Sequence, residues 1–352
     1  MSKSIELLTQ LSNAHAVPGS EDEVRAIFRR ELEGSGAITV DRIGNFLLRR
    51  VHSGRPHIGI DAHMDEVGFM VQSITPDGYL RILGLGGWSV ATLPAQRVVV
   101  MGSKGKIPGT FGSLPPHFQK EGSASPGMED LFIDIGADSE ATVREWGIRP
   151  GSPVCPDVQV QATRHPKRLI GKAFDNRVGC AVCIETAQRT RNLNANLSFI
   201  GAVQEEGGLR GATVLSASHP VDLMIVLEGT PADDAPGMLN PTSQGVLGKG
   251  VQIRCYDPTH LANSRLVDWA ICIAEQHAIP FQLAVRRSGG TNAGRYHLAA
   301  HGIPTLVLGV PARYIHSHQS MIDLDDYAAT CKLAETLIRE LDAATYEGIL
   351  PR

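Results

Sequence analysis

The 352-residue chain is notable first for what it has little of. No apolar run approaches the roughly 18 residues that a membrane helix needs, which argues against a membrane partner. Charge of one sign is not in excess: 33 Lys+Arg stand against 37 Asp+Glu, a net charge of -4. That balance leaves no electrostatic footprint for nucleic acid. The N-terminus, MSKSIELLTQ, carries an acid early and has no apolar h-region, so it does not read as a secretory signal. Six cysteines in so long a chain, with no export signal, read as reduced thiols in the cytoplasm. G-x-S-x-G and H-E-x-x-H are both missing, which disfavours serine hydrolases and single-zinc metzincins. Gly84-Leu85-Gly86-Gly87 lacks the spacing and the following helix of a dinucleotide loop. There is no internal repeat, low-complexity tract or long charge run.

What is present is a soluble composition, 42% hydrophobic and 20% charged, long enough for about two domains. The first 35 residues read as helical, with Ser20 and Glu23 as a capping box ahead of Val24, Ile27, Phe28 and Leu32. Short apolar runs at Asn45–Val51, His57–Ala62 and Val67–Ile74 read as strands. From 75 to 165 the chain is rich in Gly, Pro and β-formers and has almost no long helical pattern. We expect an inserted small β-barrel-like domain there, between the 1–74 and 166–352 parts of a catalytic α/β domain. Beyond 166, strands at Leu197–Gln204, Asp222–Glu228, Val251–Cys255, Phe281–Val285 and Thr305–Val310 alternate with helices. The helices run over Arg177–Arg191, Leu209–Ser218, Ser264–His277, with Ser264 as N-cap, and about 325 to 343. That alternation predicts an α/β fold with helices on both faces of a sheet.

Chemistry-bearing residues stand at the ends of these strands, where open α/β sheets build sites. In Ala62-His63-Met64-Asp65-Glu66, His63 and Asp65 share a face of extended chain, so Asp65 could orient a metal-bound imidazole. The same pair also reads as a strand-end histidine with an ion-pair partner. Glu205 and Glu206 end an apolar strand at a Gly-rich turn; one could bind metal while the other holds a proton, or both could be solvated turn residues. Asp175, Glu228 and the His316-Ser317-His318 pair complete the set, with helix capping, turn chemistry and a surface histidine as the plainer readings. A two-metal hydrolytic site needs about five ligands, a bridging carboxylate and a separate base. Mixed His and carboxylate ligands suit Zn, Co or Mn. Cys180 and Cys183 lie within a helix and read as core. His117 reads as a loop histidine of the inserted region that could reach a neighbouring subunit.

Six stretches in order, AHMDEVGFMV (62–71), GKAFDNRVGC (171–180), VQEEGGLRGA (203–212), VLEGTPADDAPG (226–237), SGGTNAG (288–294) and VPARYIHSHQ (310–319), give a specific resemblance. The chain resembles the family 42 metallo-aminopeptidases, a family that includes glutamyl and tetrahedral aminopeptidases and proteins labelled endoglucanase M. The resemblance implies a zinc-peptidase-like mixed β-sheet sandwiched by helices, an inserted β domain serving assembly, and dodecamers built from dimers. It implies two divalent ions per chain, His63 and Glu228 on one, Glu206 and His316 on the other, and Asp175 bridging them. It makes Glu205 the general base and Asp65 the residue that orients His63. The endoglucanase label fits the residues poorly, because glycosidases need two carboxylates flanking a sugar bond. Asn176 and Asn292 stand where the family commonly has Asp, Gly207 where it has Val, and Glu228 where many members have Asp. The expected activity is removal of N-terminal residues from peptides. A deacylase or amidohydrolase of a small metabolite, and a non-catalytic metal-binding oligomer, are the other two readings. Arg286 and Arg287, just before the Ser288–Thr291 loop, could favour an acidic substrate side chain or simply end a strand at the surface.

Overall fold

The apolar runs form the middle of one twelve-stranded sheet. The computed structural model describes residues 3–52, 56–118, 127–238 and 241–351. Its four central strands are parallel, in the order Asn196–Ala202, His57–His63, Leu223–Pro231 and Thr305–Arg313. All four are buried almost end to end. Strands covered on both faces read as continuous apolar runs, which is how these appear in the sequence. Antiparallel strands flank them: Phe46–Arg50 and Ala37–Val40 on one side, Ser320–Asp323, Arg168–Gly171 and Gln161–Ala162 on the other. Val251–Asp257 branches from Thr305–Arg313 and carries Phe281–Val285 alongside.

The helix Phe174–Arg189 is buried over most of its length against the sheet, its polar Asn176, Arg177, Glu185 and Thr186 included. Cys180 and Cys183 lie inside it as free thiols, and Cys180 Sγ donates to the His63 carbonyl at 3.0 Å. They are core residues, as the sequence suggests. Among the described residues no helix is long and apolar enough to cross a membrane.

A second sheet closes on itself as a six-stranded barrel. Its strands, in order around the barrel, are Gly68–Ile74, Leu80–Leu85, Phe132–Asp134, Gly105–Phe111, Arg97–Gly102 and Pro153–Pro156. Phe69, Val71, Leu80, Ile82, Val98, Val100, Phe111, Ile133 and Val154 fill it. The barrel therefore takes in Gly68–Ile74, ahead of residue 75, whereas Gln161–Ala162 pairs into the large sheet. Closure explains this, since Gly68–Ile74 has neighbours on both sides only within the barrel.

Two capping assignments differ from the sequence reading. The helix Asp22–Leu32 follows Glu21 and has no capping side chain. Glu23 is turned away, accepting from His15 N at 3.1 Å and pairing with Lys106 of the barrel at 2.7 Å. Asn263, not Ser264, caps Ser264–Gln276 by accepting from Leu266 N. The final helical stretch is two helices, Leu324–Glu340 and Ala343–Ile349.

Candidate metal centre

His63 closes its strand with the ring buried. Nδ1 lies 3.1 Å from the backbone oxygen of Asp65 and 3.4 Å from its Oδ1. That anchorage turns Nε2 toward Asp175 Oδ1 at 3.2 Å, Glu228 Oε2 at 3.6 Å and Glu205 Oε2 at 4.0 Å. Asp65 has a second task that its sequence neighbourhood does not announce. Oδ1 accepts from Glu205 N and Oδ2 from Glu206 N, each at 3.0 Å. One fully buried carboxylate thus holds both the imidazole and the turn that carries the glutamate pair.

Asp175 stands between two imidazoles. Its Oδ2 is 3.4 Å from His316 Nε2, which is itself 3.5 Å from Glu206 Oε1. His316 Nδ1 lies 2.9 Å from the carbonyl oxygen of Gly87, a residue of the barrel side. Two triads result, His63 with Glu205 and Glu228, and Asp175 with Glu206 and His316. Within each, the candidate ligand atoms lie within 4.8 Å of one another. All seven residues singled out in the sequence come together here, from five separate segments. The other histidine of the H-x-H, His318, does not; its ring is buried against Trp88 and Phe111. His117 lies exposed at a short turn.

Local backbone is bent to bring these groups in. Ala173, Gln204 and His316 have φ of 54°, 55° and 57°, left-handed values that cost a residue with a Cβ of order 1–3 kcal/mol. Beneath them, Glu66 Oε1 accepts from Lys172 Nζ, from Arg177 Nη2 at 3.1 Å and from Ala16 N at 3.2 Å. This buried cluster ties the His63–Asp65 segment to the one bearing Asp175. Asn176 is fully used as an amide, donating to Leu227 O at 2.8 Å and accepting from Gly179 N at 3.0 Å. An Asp at 176 would have no proton to give Leu227, the neighbour of Glu228.

The electrostatics are those of carboxylates crowded in low dielectric. Burial, with the neighbouring acids, pushes Glu205 and Glu228 well up, although His63 opposes it. Glu206 is raised to about 8 by burial and by Asp175. Burial opposes charge on His63 and His316, yet the surrounding carboxylates win, and His316 is raised to about 10. Asp175 is buried too, but its two imidazole partners hold it below the usual range. Glu228 Oε1 is buried without a hydrogen-bond partner. Such an atom is costly unless something positive meets it. Oxygen and imidazole donors in this number fit divalent cations of the Zn, Co or Mn kind.

A cavity of about 540 Å³ opens over the cluster. Gly86 and Gly87 form one side, and Arg254, Thr259 and Ser288–Thr291 another. Gly86 has φ +77°, and a Cβ there would lie 2.9 Å from Glu206 Oε2 and 2.5 Å from Val67 Cγ1. The Gly84–Gly87 run, dismissed above as a nucleotide loop, is a place of close backbone approach. Of the two readings open for Arg286 and Arg287, the cavity lining supports the one that keeps them out of the pocket. Arg286 is held by Asp233 at 3.1 Å and by Pro231 O at 2.9 Å, and Arg287 is exposed. The cavity arginine is Arg254, buried on Val251–Asp257 with Nη1 3.3 Å from Asp257 Oδ2. Its signal in the sequence is faint, a lone charge within an apolar strand.

Comparison with known proteins places the chain in a family. The family model for M42 glutamyl aminopeptidase matches residues 44–333. A glutamyl aminopeptidase of Lactococcus lactis subsp. cremoris (strain MG1363) is 34% identical over 321 residues, covering 90% of this chain and 87% of that protein. A lysyl aminopeptidase of Pyrococcus furiosus is 32% identical over 311 residues, covering 86% and 87% respectively. The solved TET1 peptidase of Pyrococcus horikoshii, described as able to assemble into a tetrahedron or a large octahedral shell, superposes with a TM-score of 0.87. It is 29% identical, with 96% of this chain and 100% of that one covered. The chain belongs to the M42 glutamyl aminopeptidase family and is a hydrolase of the peptidase class.

Proposed function

We propose that the chain removes N-terminal residues from peptides at this centre, using two divalent cations. The observation that carries the reading is the pair of triads meeting at Asp175. His63 and Glu228 would hold one ion, Glu206 and His316 the other, with Asp175 shared. Bound there, the ions would polarise the scissile carbonyl and make water a better nucleophile. Glu205 takes a proton from the attacking water and passes it to the leaving amine. Burial raises its proton affinity above that of an ordinary carboxylate, which makes the carboxylate a stronger base. Asp65 keeps His63 in one tautomer and fixes the Glu205-Glu206 backbone, so base and ligand stay in register.

The cavity wall bears on substrate choice. Arg254 is the one Lys or Arg among the described residues that line it, and its buried Nε has no partner. A guanidinium so placed favours an acidic side chain at the peptide's N-terminus. We further propose that the chain self-associates, as a dodecamer built from dimers, with the barrel serving assembly. All six cysteines are unpaired, in keeping with work in the cytoplasm.

The test uses chelated protein given Co, Zn or Mn and assayed on glutamyl, leucyl and lysyl p-nitroanilides and on N-acyl amino acids. Metal-dependent release from the anilides, glutamyl foremost, is expected, with Arg254→Gln removing the glutamyl advantage. Turnover of N-acyl amino acids alone would replace the peptidase reading with a deacylase. Metal uptake without turnover of either substrate class would indicate a binding role.

A further inference from the structure

The wall of the cavity is fastened to the strand that carries His63 by a carboxylate that does not line the cavity. Asp61 lies inside His57–His63, two residues before His63, and is fully buried. Its Oδ2 accepts from Asn292 Nδ2 at 2.8 Å and its Oδ1 from Tyr296 OH at 3.0 Å. Asn292 and Tyr296 are as buried as Asp61. Asn292 directly follows Ser288–Thr291, which lines the cavity, and Tyr296 ends the short helix Ala293–Tyr296 after it.

Ser288, Gly289 and Gly290 are exposed, but the segment packs closely on Thr259. A Cβ at Gly290 would lie 2.7 Å from Thr259 Cγ2, and one at Gly294 2.7 Å from Thr259 Cβ. Thr259 is itself fixed, donating through N and Oγ1 to Asp257 Oδ1 at 2.9 and 2.7 Å. Buried Thr291 and Asn292 sit between Thr259 and Asp61, and a change at Asp61 reaches the wall through them.

We propose that Asp61 is a positioning residue for the substrate: through Asn292 and Tyr296 it sets the distance between the Ser288–Thr291 wall and His63. The proposal rests on reading the cavity as the substrate site. A purely packing role explains the cluster poorly. An apolar residue of similar volume fills a core without burying a charge, and replacing buried charged groups in that way is often neutral or stabilising. The polarity of the pair is also defined. Asn292 Oδ1 has no partner, so position 292 acts only as a donor and position 61 only as an acceptor.

That polarity gives the experiment. Asn292→Asp removes the amide donor and puts two carboxyl groups face to face, a pair that bonds only by taking up a proton. Adding Asp61→Asn reverses the pair: the new amide donates to position 292, and its oxygen still accepts from Tyr296. We expect Asn292→Asp to raise KM for aminoacyl anilides about tenfold, with kcat and metal content little changed. The double variant should return KM to within about threefold of wild type, a coupling that independent sites do not show. Should Asn292→Asp fold badly, Tyr296→Phe removes one donor and keeps the ring, and a KM several-fold higher is expected. An unchanged KM, a loss confined to kcat or metal content, or a double variant no better than Asn292→Asp would overturn the proposal. A wild type that hydrolyses no aminoacyl anilide would instead fail the functional reading, and this proposal with it.

Discussion

Glu205 and Glu206 are adjacent in sequence and share one hydrogen-bonded clamp, yet they face different groups, His63 with Glu228 and His316 with Asp175. Substitution should separate them. Glu205→Gln is expected to bind cations nearly as wild type and to lose about 10²–10⁴-fold in kcat, the usual worth of a general base. Glu206→Gln should lower bound metal, measured by elemental analysis after dialysis, before it affects chemistry. A Glu205→Gln enzyme retaining more than half its turnover at saturating cation would show that the base is elsewhere. At this scale the strand-end acids and histidines were legible because their types and places carry the signal. Asp65's hold on the glutamates was not, since it joins residues 140 positions apart. The Asp61–Asn292 bond was hidden for the same reason, Arg254 showed only as a lone charge in an apolar strand, and Arg286 stayed open because a charge next to a loop says nothing about which way it turns.

At the scale of elements, Glu228 stays within its strand while the His63, Glu205-Glu206 and His316 segments bend as they leave theirs, and the bends are where periodicity falls silent. The parallel strands were readable as apolar runs. The barrel's Gly105–Phe111, with mostly exposed or half-buried side chains, has no such run. The turn after Leu80–Leu85 is the sharpest case. Gly86→Ala would place a methyl group against Glu206 and Val67 at a φ that disfavours any Cβ. We expect a loss of at least about tenfold in metal affinity by calorimetry, with the barrel still folded, since such strain costs of order 1–3 kcal/mol. Gly208→Ala, at a positive φ but with open space around it, should leave metal affinity much nearer wild type.

For the molecule as a whole, several buried histidines set the response to acid. Burial holds His15, His219 and His260 at about 4 against an ordinary 6.5. Between those values the unfolded chain takes up protons that the folded chain refuses, so each histidine costs stability as pH falls, by ~1.4 kcal/mol per pH unit. Glu21 and Asp326, raised to about 7 by burial, act with the opposite sign over the same range. The prediction is therefore made on a difference. His219→Gln should be less stable than wild type at pH 7, because Ser198 loses a partner. That gap should narrow by pH 5; thermal midpoints at the two values measure it, and a constant gap would show that His219 titrates normally. Light scattering at micromolar concentration should give a mass several times that of one chain. A monomer would exclude the assembly role proposed for the barrel.

The order in which the site is built has a consequence for synthesis. His63 and Asp65 come first along the chain, Asp175, Glu205, Glu206 and Glu228 follow, and His316 comes last. The strand that leads to His316, Thr305–Arg313, is inserted into the sheet between Leu223–Pro231 and Ser320–Asp323, and the Ser288–Thr291 wall is also a late arrival. A ribosome-bound chain that has emerged only as far as Glu228 holds most of the acids but neither the second imidazole nor that wall. Hydrolytic power would therefore appear abruptly, only once His316 and its strand have emerged. The half-made enzyme would pose no threat to the exposed N-termini of the nascent chains around it, or to its own.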